Sequence, residues 1–323
     1  MTQHQPLARH APGALPAAPL GVLAEASARG QLLGIALLLL AIFLFTLMDA
    51  TAKHLAQSYH PAQLIWVRFM TNLVLVGVIL APRLGRTMRS ARPMVQLFRG
   101  LAQLASIGLF FTSLQFIGLA EATAIMDINP VLITLAAALF LGESLGLRRI
   151  LGIGAALLGA MLIIRPGAGV FQPAALLPLI GAFTYAAGAV LTRMARCDSL
   201  ATSILWSAVV GSAISSIAVP FFWRPIAGGD VWAFLLLGLL GTAAQVLLIR
   251  AFALAEAAVI APFGYTSLIW AGIWGWLFWG TIPDGWSVTG ALIIVAAGLY
   301  VWWREARVVK GPATSQEPPD PRR

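Results

Sequence analysis

The sequence predicts an all-α integral membrane protein, ten transmembrane helices arranged as two inverted five-helix repeats. Three observations carry that expectation. The chain of 323 residues is 59% hydrophobic and 10% charged, a balance foreign to ordinary soluble domains. Ten apolar runs reach or approach the ~20 residues a helix needs to cross hydrocarbon. One stretch also occurs twice: Leu119-Ala120-Glu121-Ala122 returns as Leu254-Ala255-Glu256-Ala257, 135 residues on, and each is followed by a proline, Pro130 and Pro262. Gly142 and Gly152 are matched by Gly280 and Gly290 at 138, and Phe43 and Trp66 by Phe183 and Trp206 at 140.

The runs lie near 31–57, 62–81, 94–117, 120–141 and 147–165, then 174–194, 200–223, 231–252, 257–280 and 285–303. Residues 31–166 form the expected first repeat and 173–304 the second, with connections too short for a separate soluble domain. The apolar patch Leu15–Leu23 is interrupted by Pro16 and Pro19 and is neither a span nor a signal peptide. Residues 1–30 and the Pro-rich 305–323 are expected to be disordered cytoplasmic tails.

Charge sets the orientation. Of 21 Lys and Arg, only Lys53, Arg165 and Arg224 fall on the outer side and Arg68 inside a span. The remainder gather on the side of both termini, which the positive-inside rule places in the cytoplasm of a bacterial inner membrane. Five spans is an odd number, so the second half enters the membrane upside down, an architecture whose ligand sites lie at broken helices between the halves. The net charge of +9 resides in these short gaps, which argues against nucleic acid as a partner.

Several chemistries are excluded. The single Cys197 leaves no disulfide framework or cysteine metal cluster, and His4, His10, His54 and His60 are too scattered for a metal site. No phosphate-binding G-x-x-x-x-G-K-[ST], H-E-x-x-H or G-x-S-x-G motif occurs. Neither an enzyme nor a cofactor is expected.

The residues that stand out are polar ones inside spans. Counting at 1.5 Å per residue, Asp49, Arg68 and Asp127 lie ~10–12 Å from the outer ends of their helices, at one common depth. A charge facing lipid there costs up to ~2.5–3.5 kcal/mol. Asp49 serves a substrate or proton, or pairs with Lys53 one turn away; Arg68 contacts an anion or reaches toward headgroups. Asp127 shares a face with Thr123 and Thr134, and Asn129 and Pro130 disturb its turn. Glu121 and Glu256 sit at helix starts, where a carboxylate favours the dipole. In the second half Pro262 and Gly264 open the backbone beside Tyr265, Trp270 and Trp274, while Trp276 and Trp279 suit the interfacial belt. With Tyr185 and Gln245 these aromatics suit a flat or partly apolar organic ligand. The candidate cavity lining is therefore Asp49, Arg68, Asp127, Asn129, Pro130, Tyr185, Gln245, Pro262, Tyr265, Trp270 and Trp274. Gly152, Ala156 and Ala160, with Gly290 and Gly298, permit close helix approach as scaffold or as a homodimer seam.

The Leu-Ala-Glu-Ala start, the Asn129-Pro130 break, the Phe140-Leu141-Gly142-Glu143 end and the following Gly152-Ile153-Gly154 resemble the EamA-type repeat of the drug/metabolite transporter superfamily, over about residues 31–304. The second half departs from it, with Thr281 where the first has Glu143 and Gly264-Tyr265 where it has Asn129-Pro130. The resemblance implies a central cavity and transport of small organic metabolites without ATP. Such families include exporters of amino acids and importers of riboflavin or S-adenosylmethionine. The expected activity is secondary transport or facilitation of a small organic metabolite by alternating access, in the efflux direction, with a proton or cation as coupling ion. Import of a riboflavin- or S-adenosylmethionine-like compound, or a non-transporting role such as lipid-flipping accessory, are the alternatives.

Overall fold

The computed structural model describes residues 20–141, 147–165 and 173–309. Among these, regular structure is helical throughout, with no strand. The principal helices are α1 (Leu20–Ala56), α2 (Pro61–Leu80), α3 (Pro93–Ser113), α4 (Leu119–Met126), α5 (Asn129–Leu141), α6 (Leu147–Ile164), α7 (Leu176–Met194), α8 (Leu200–Ala218), α9 (Val231–Leu254), α10 (Thr266–Trp279) and α11 (Gly285–Val309).

Their limits follow local chemistry. Proline opens α2 and α3 at their first position, where a missing N–H costs nothing. Ser199 caps α8 by accepting from the Thr202 N–H at 3.0 Å. The fourth expected span is broken: α4 ends at Met126, and Pro130, which has no N–H to offer the preceding turn, stands second in α5. The matching stretch of the second half runs through one turn at Ala257–Ile260 and a 3₁₀ segment, Ala261–Tyr265, before α10 begins. Among the described residues, eight segments are long and apolar enough to cross a bilayer, Leu119–Phe140 taken across its break. Ile150–Ile164 is a shorter apolar helix.

Two boundaries differ from expectation. Helix α1 starts at Leu20, inside the stretch expected to be a disordered tail, and α11 continues to Val309. Ala24, Glu25, Ala26 and Ala28 are strong helix formers, and they continue a long apolar helix that needs no separate nucleus. Residues 1–19 and 310–323, the Gly142-Glu143 motif, and Pro166-Gly167 lie outside the described residues.

Packing follows an exchange rule. Helix α1 packs on α9 as α7 packs on α3; α3 packs on α8 as α2 packs on α9; α5 packs on α7 as α10 packs on α1. Three further pairs, α2 with α8, α4 with α10 and α6 with α11, map onto themselves when the halves are swapped. Each half therefore buries its faces mainly against the other. Glycine lets backbone approach backbone at the α6–α11 seam. A Cβ at Gly159 would stand 2.7 Å from the Gly290 carbonyl oxygen, and one at Gly290 would stand 2.5 Å from that of Gly159. Ala156 and Ala160 are fully buried beside it. The small-residue stripe thus belongs to the α6–α11 seam within one chain, and does not serve as a homodimer face.

Polar straps tie the halves at both ends. At one, the Tyr59 hydroxyl donates to Asp230 at 2.7 Å and accepts from the Ala227 N–H at 2.9 Å. Gln63 there exchanges two hydrogen bonds with the Arg224 backbone, at 3.0 and 3.1 Å. At the other, Asp198 accepts from Ser90, from the Ala91 N–H at 2.8 Å and from Gln96 at 2.9 Å. Partial burial works against its charge. The hydrogen bonds from Gln96, Ser90 and Ala91, with Arg92 nearby, outweigh that and hold its carboxyl below the usual range. Asp284 caps α11 through the Ser287 N–H at 2.9 Å and pairs with Arg165. Arg165 closes α6 at φ 49°, a left-handed conformation unfavourable for a side chain other than glycine.

Two outcomes follow for stability. Gly159→Val forces a side chain into backbone that cannot yield, and should lower the melting temperature in detergent by about 3–8 °C, from an overpacking cost of about 1–3 kcal/mol. Gly154→Val, whose Cβ meets nothing within 4 Å, is the control; equal melting of the two variants contradicts the seam. For Asp284, hydrogen bonds from Arg165 and Ser287 hold the carboxyl at about 2, below its ordinary 3.8. A carboxylate depressed on folding contributes stability above its unfolded value, and that contribution is lost as pH falls toward the folded one. The pair is half exposed at Asp284 and screened by water, so Asp284→Asn should cost about 1–2 °C at neutral pH and nothing near pH 2. A difference that persists near pH 2 contradicts the assignment.

Candidate functional site

Successive residues of a helix are turned by about 100°, so burial along each helix separates an inward arc from a lipid-facing one. Asp49 lies at the centre of the inward arc of α1, among buried Leu38, Ile42, Ala52 and Ala56, yet retains accessible surface. Arg68 occupies the same position on α2 between Leu64 and Ile65, and Gln245 on α9 between Gly238 and Gly241. On α7, Tyr185 is bracketed by buried Pro178, Gly181 and Ala182 and is nevertheless 47% exposed, while Leu176, Ile180 and Phe183 form the outer arc. An inward side chain that remains accessible faces a space inside the bundle. These four mark accessible polar surface on the inward arcs of α1, α2, α7 and α9.

Two of the four are charged. Asp49 and Arg68 are electrostatic neighbours, whereas the Lys53 ammonium is engaged elsewhere. It donates to the carbonyls of Leu114 at 3.0 Å and Ile117 at 2.6 Å and lies 5.7 Å from the Trp279 ring. The expected alternative of an Asp49–Lys53 pair is thus replaced by a cap on the end of α3. Arg68 does not reach headgroups; its guanidinium lies 5.4 Å from the Phe111 ring, and its Nε is 3.9 Å from where a Cβ would stand at Gly241.

The second polar group is at the two breaks. Asp127, the C-cap of α4, accepts a hydrogen bond from the Ser267 hydroxyl on α10 at 2.7 Å. Tyr265 is its electrostatic neighbour. The phenol oxygen of Tyr265 is buried without a partner, as are Thr123 Oγ1 and Asn129 Oδ1. Tyr265 fits only because residue 298 is glycine: a Cβ there would lie 1.6 Å from its hydroxyl. The carboxylate of one interrupted helix is thereby fastened to the first turn beyond the other interruption.

The tryptophans have a different place. Trp270 and Trp274 stack at 5.9 Å between centroids, and Phe43 meets their rings edge-on at 4.9 and 5.6 Å. Trp274 donates to the Thr46 hydroxyl at 3.2 Å. Trp270 lines a lateral apolar groove of about 460 Å³ with Leu39, Leu40, Phe43, Thr266 and Ile269. These rings join α10 to α1, Trp270 at the groove and Trp274 against the core. Pro130 is exposed and Pro262 lies in the 3₁₀ segment; both shape the backbone without contributing a polar group. Glu121 accepts from the Gly118 N–H at 3.0 Å, the helix-start role expected of it.

One inward residue escaped the sequence reading. Gln103 shares the arc of buried Gln96, Gly100 and Phe110 on α3 and stays accessible. Its spacing from those positions was the available signal, once α3 was read as a helix with one buried face.

Comparison with known proteins agrees with this architecture. The profile of the EamA-like transporter family matches residues 32–165 and again 172–303. The pseudopaline exporter CntI of Pseudomonas aeruginosa is 27% identical over 269 residues, covering 82% of this chain and 94% of that protein. A riboflavin transporter of Rhizobium johnstonii is 32% identical over 234 residues, covering 72% and 78%. An S-adenosylmethionine uptake transporter of Rickettsia bellii is 23% identical over 278 residues, covering 86% and 96%. A solved crystal structure at 19% identity superposes with a TM-score of 0.56 over 87% of this chain and 99% of its own, a likeness of fold. The chain is a multi-pass membrane protein that belongs to the EamA-like transporter family, with the family's unit present twice.

Proposed function

We propose that this protein is a secondary transporter of a small organic metabolite in a bacterial inner membrane. On this reading ten spans form two inverted repeats, residues 31–166 and 173–304, with both termini cytoplasmic. The observation that carries it is the polar surface of the bundle interior, read here as the wall of a slot: Asp49, Arg68, Tyr185 and Gln245 sit on inward arcs yet remain accessible. Charge inside a bilayer persists where it faces water or a ligand pathway. The exchange rule in the packing, the basic residues gathered on one side and a broken helix in each half also support it.

Asp127 is the proposed coupling group, with Asp49 as the second candidate for a proton or cation. As a carboxylate, Asp127 accepts the Ser267 hydrogen of α10. Protonation removes negative charge from that acceptor and weakens the tie between α4 and α10, since a charge-assisted hydrogen bond is about twice as strong as a neutral one. Binding of a proton would thus favour separation of the two interrupted helices on one side of the slot. Relatives named as exporter and as uptake transporter show that both directions occur on this architecture, and the gradient imposed in the assay decides between them.

Purified protein in proteoliposomes, supplied with the solutes whose levels the gene alters in cells, tests the coupling. A one-unit pH gradient stores about 1.4 kcal/mol per proton, enough for up to about tenfold accumulation. Asp127→Asn should abolish that accumulation while leaving solute exchange intact. Full pH-driven accumulation in both Asp127→Asn and Asp49→Asn removes these carboxylates from coupling.

A further inference from the structure

A second cavity, of about 230 Å³, lies where α4, α10 and α11 meet. Its two ends differ. Glu121 and Ser287, each in the first turn of its helix, mark one end. Leu268, just past the interruption before α10, and Val295 mark the other. From the start of α11 at Gly285 to Val295 is ~15 Å at 1.5 Å per residue. Apart from Glu121 and Ser287 the lining is apolar, and Ile269 and Leu292 on it are exposed. A Cβ at Gly272 would meet nothing within 4 Å, so a missing side chain leaves part of this room. The cavity thus carries a carboxylate at the helix ends and hydrocarbon from there toward mid-span. Packing leaves that carboxylate with acceptor capacity. Oε2 of Glu121 accepts from the Gly118 N–H at 3.0 Å, whereas Oε1 meets the Ser287 hydroxyl at 3.5 Å, longer than an ordinary O–H···O bond. Lys53 is an electrostatic neighbour, but its ammonium donates to the carbonyls of Leu114 and Ile117.

We propose that this cavity holds a phospholipid whose headgroup carries a primary ammonium, with one acyl chain laid between α10 and α11. The ammonium has three donors for Oε1 of Glu121 and the Ser287 hydroxyl, and a bond between two ionised groups is about twice as strong as a neutral one. Arg165, paired with Asp284 next to Pro283 of the lining, supplies a guanidinium for the phosphate. The chain covers Gly272 and ends near Leu268 and Val295, where only apolar surface meets it. Charge complementarity selects the headgroup. An anionic headgroup sets a second negative charge against Glu121, and a quaternary one has no N–H to donate. The repeated motif does not reproduce the site, because Glu256 is exposed.

This site goes beyond the transport reading and does not depend on which solute is carried. Purified full-length protein is titrated with phosphatidylethanolamine, phosphatidylglycerol or phosphatidylcholine of identical acyl chains, and bound lipid is counted by native mass spectrometry. Wild type should bind phosphatidylethanolamine about tenfold or more tighter than either of the others, the usual worth of a hydrogen bond between charged groups. Glu121→Gln should erase that preference. Gly272→Leu, which fills the cavity from a position with open space around it, should also erase it without lowering the melting temperature. Glu256→Gln, the same change at the exposed residue of the repeated motif, should leave it intact. No headgroup preference in wild type, or a preference that persists in either Glu121→Gln or Gly272→Leu, overturns the assignment.

Discussion

Hydrocarbon supplies neither hydrogen bonds nor solvation, and that constraint governs the whole molecule. Two helices are interrupted at membrane depth, at Asp127–Ile128 and at Ala261–Tyr265, and each interruption frees backbone groups that lipid cannot satisfy. At the first, Thr123, Ala124, Ile125 and Ile128 are buried in the bundle, and at the second the chain keeps helical hydrogen bonding through the 3₁₀ segment. The Ile128 carbonyl accepts from Val131 and Leu132 to begin α5, and the Asp127 carboxylate is tied to Ser267. Around this core, long helices from the two halves pack across each other, so neither half buries its inner face alone.

The same constraint divides polar residues into two groups. Those that strap connections together are fully partnered, as in the Tyr59–Asp230 and Gln63–Arg224 set at one end and the Asp198 cluster at the other. The straps join corresponding elements: residues 58–63 meet the connection before α9 at one end, and residues 198–203 meet the connection before α3 and its first turn at the other. The inward residues Asp49, Arg68, Gln103, Gln245 and Tyr185 have no such partners. Structure and function are thereby separated within a single polar inventory. The partnered groups hold the shell, and the others are the proposed contacts for a substrate.

Much of this was legible in the sequence because hydrophobicity, proline and charge act locally. The apolar runs located the helices, Pro130 and Pro262 located the breaks, and Glu121 was recognisable as a helix-start residue. What escaped depends on tertiary neighbours. Spacing along α1 offers Lys53 to Asp49, but the carbonyls that hold Lys53 lie more than sixty residues downstream, at Leu114 and Ile117. Trp270 and Trp274 share a helical face with Ser267, yet a small rotation directs the rings to Phe43 and the serine to Asp127. The small-residue stripe of α6 gave no sign of whether its partner was another chain or, as found, α11 of the same one. Gly298 looked like scaffold, and it also admits the Tyr265 hydroxyl.

The central claim, an aqueous slot lined by inward polar side chains, is open to direct chemical measurement. With Cys197 replaced by serine, single cysteines are placed at Tyr185 and Gln245 on inward arcs and at Ile180 on the lipid-facing arc of α7. A charged, membrane-impermeant thiol reagent is then applied to intact cells and to inverted vesicles. Thiols react as solvated thiolates, so the account predicts labelling of Tyr185→Cys and Gln245→Cys from at least one side, and none of Ile180→Cys. Inert cysteines at both inward positions, in protein that folds and inserts normally, would contradict it.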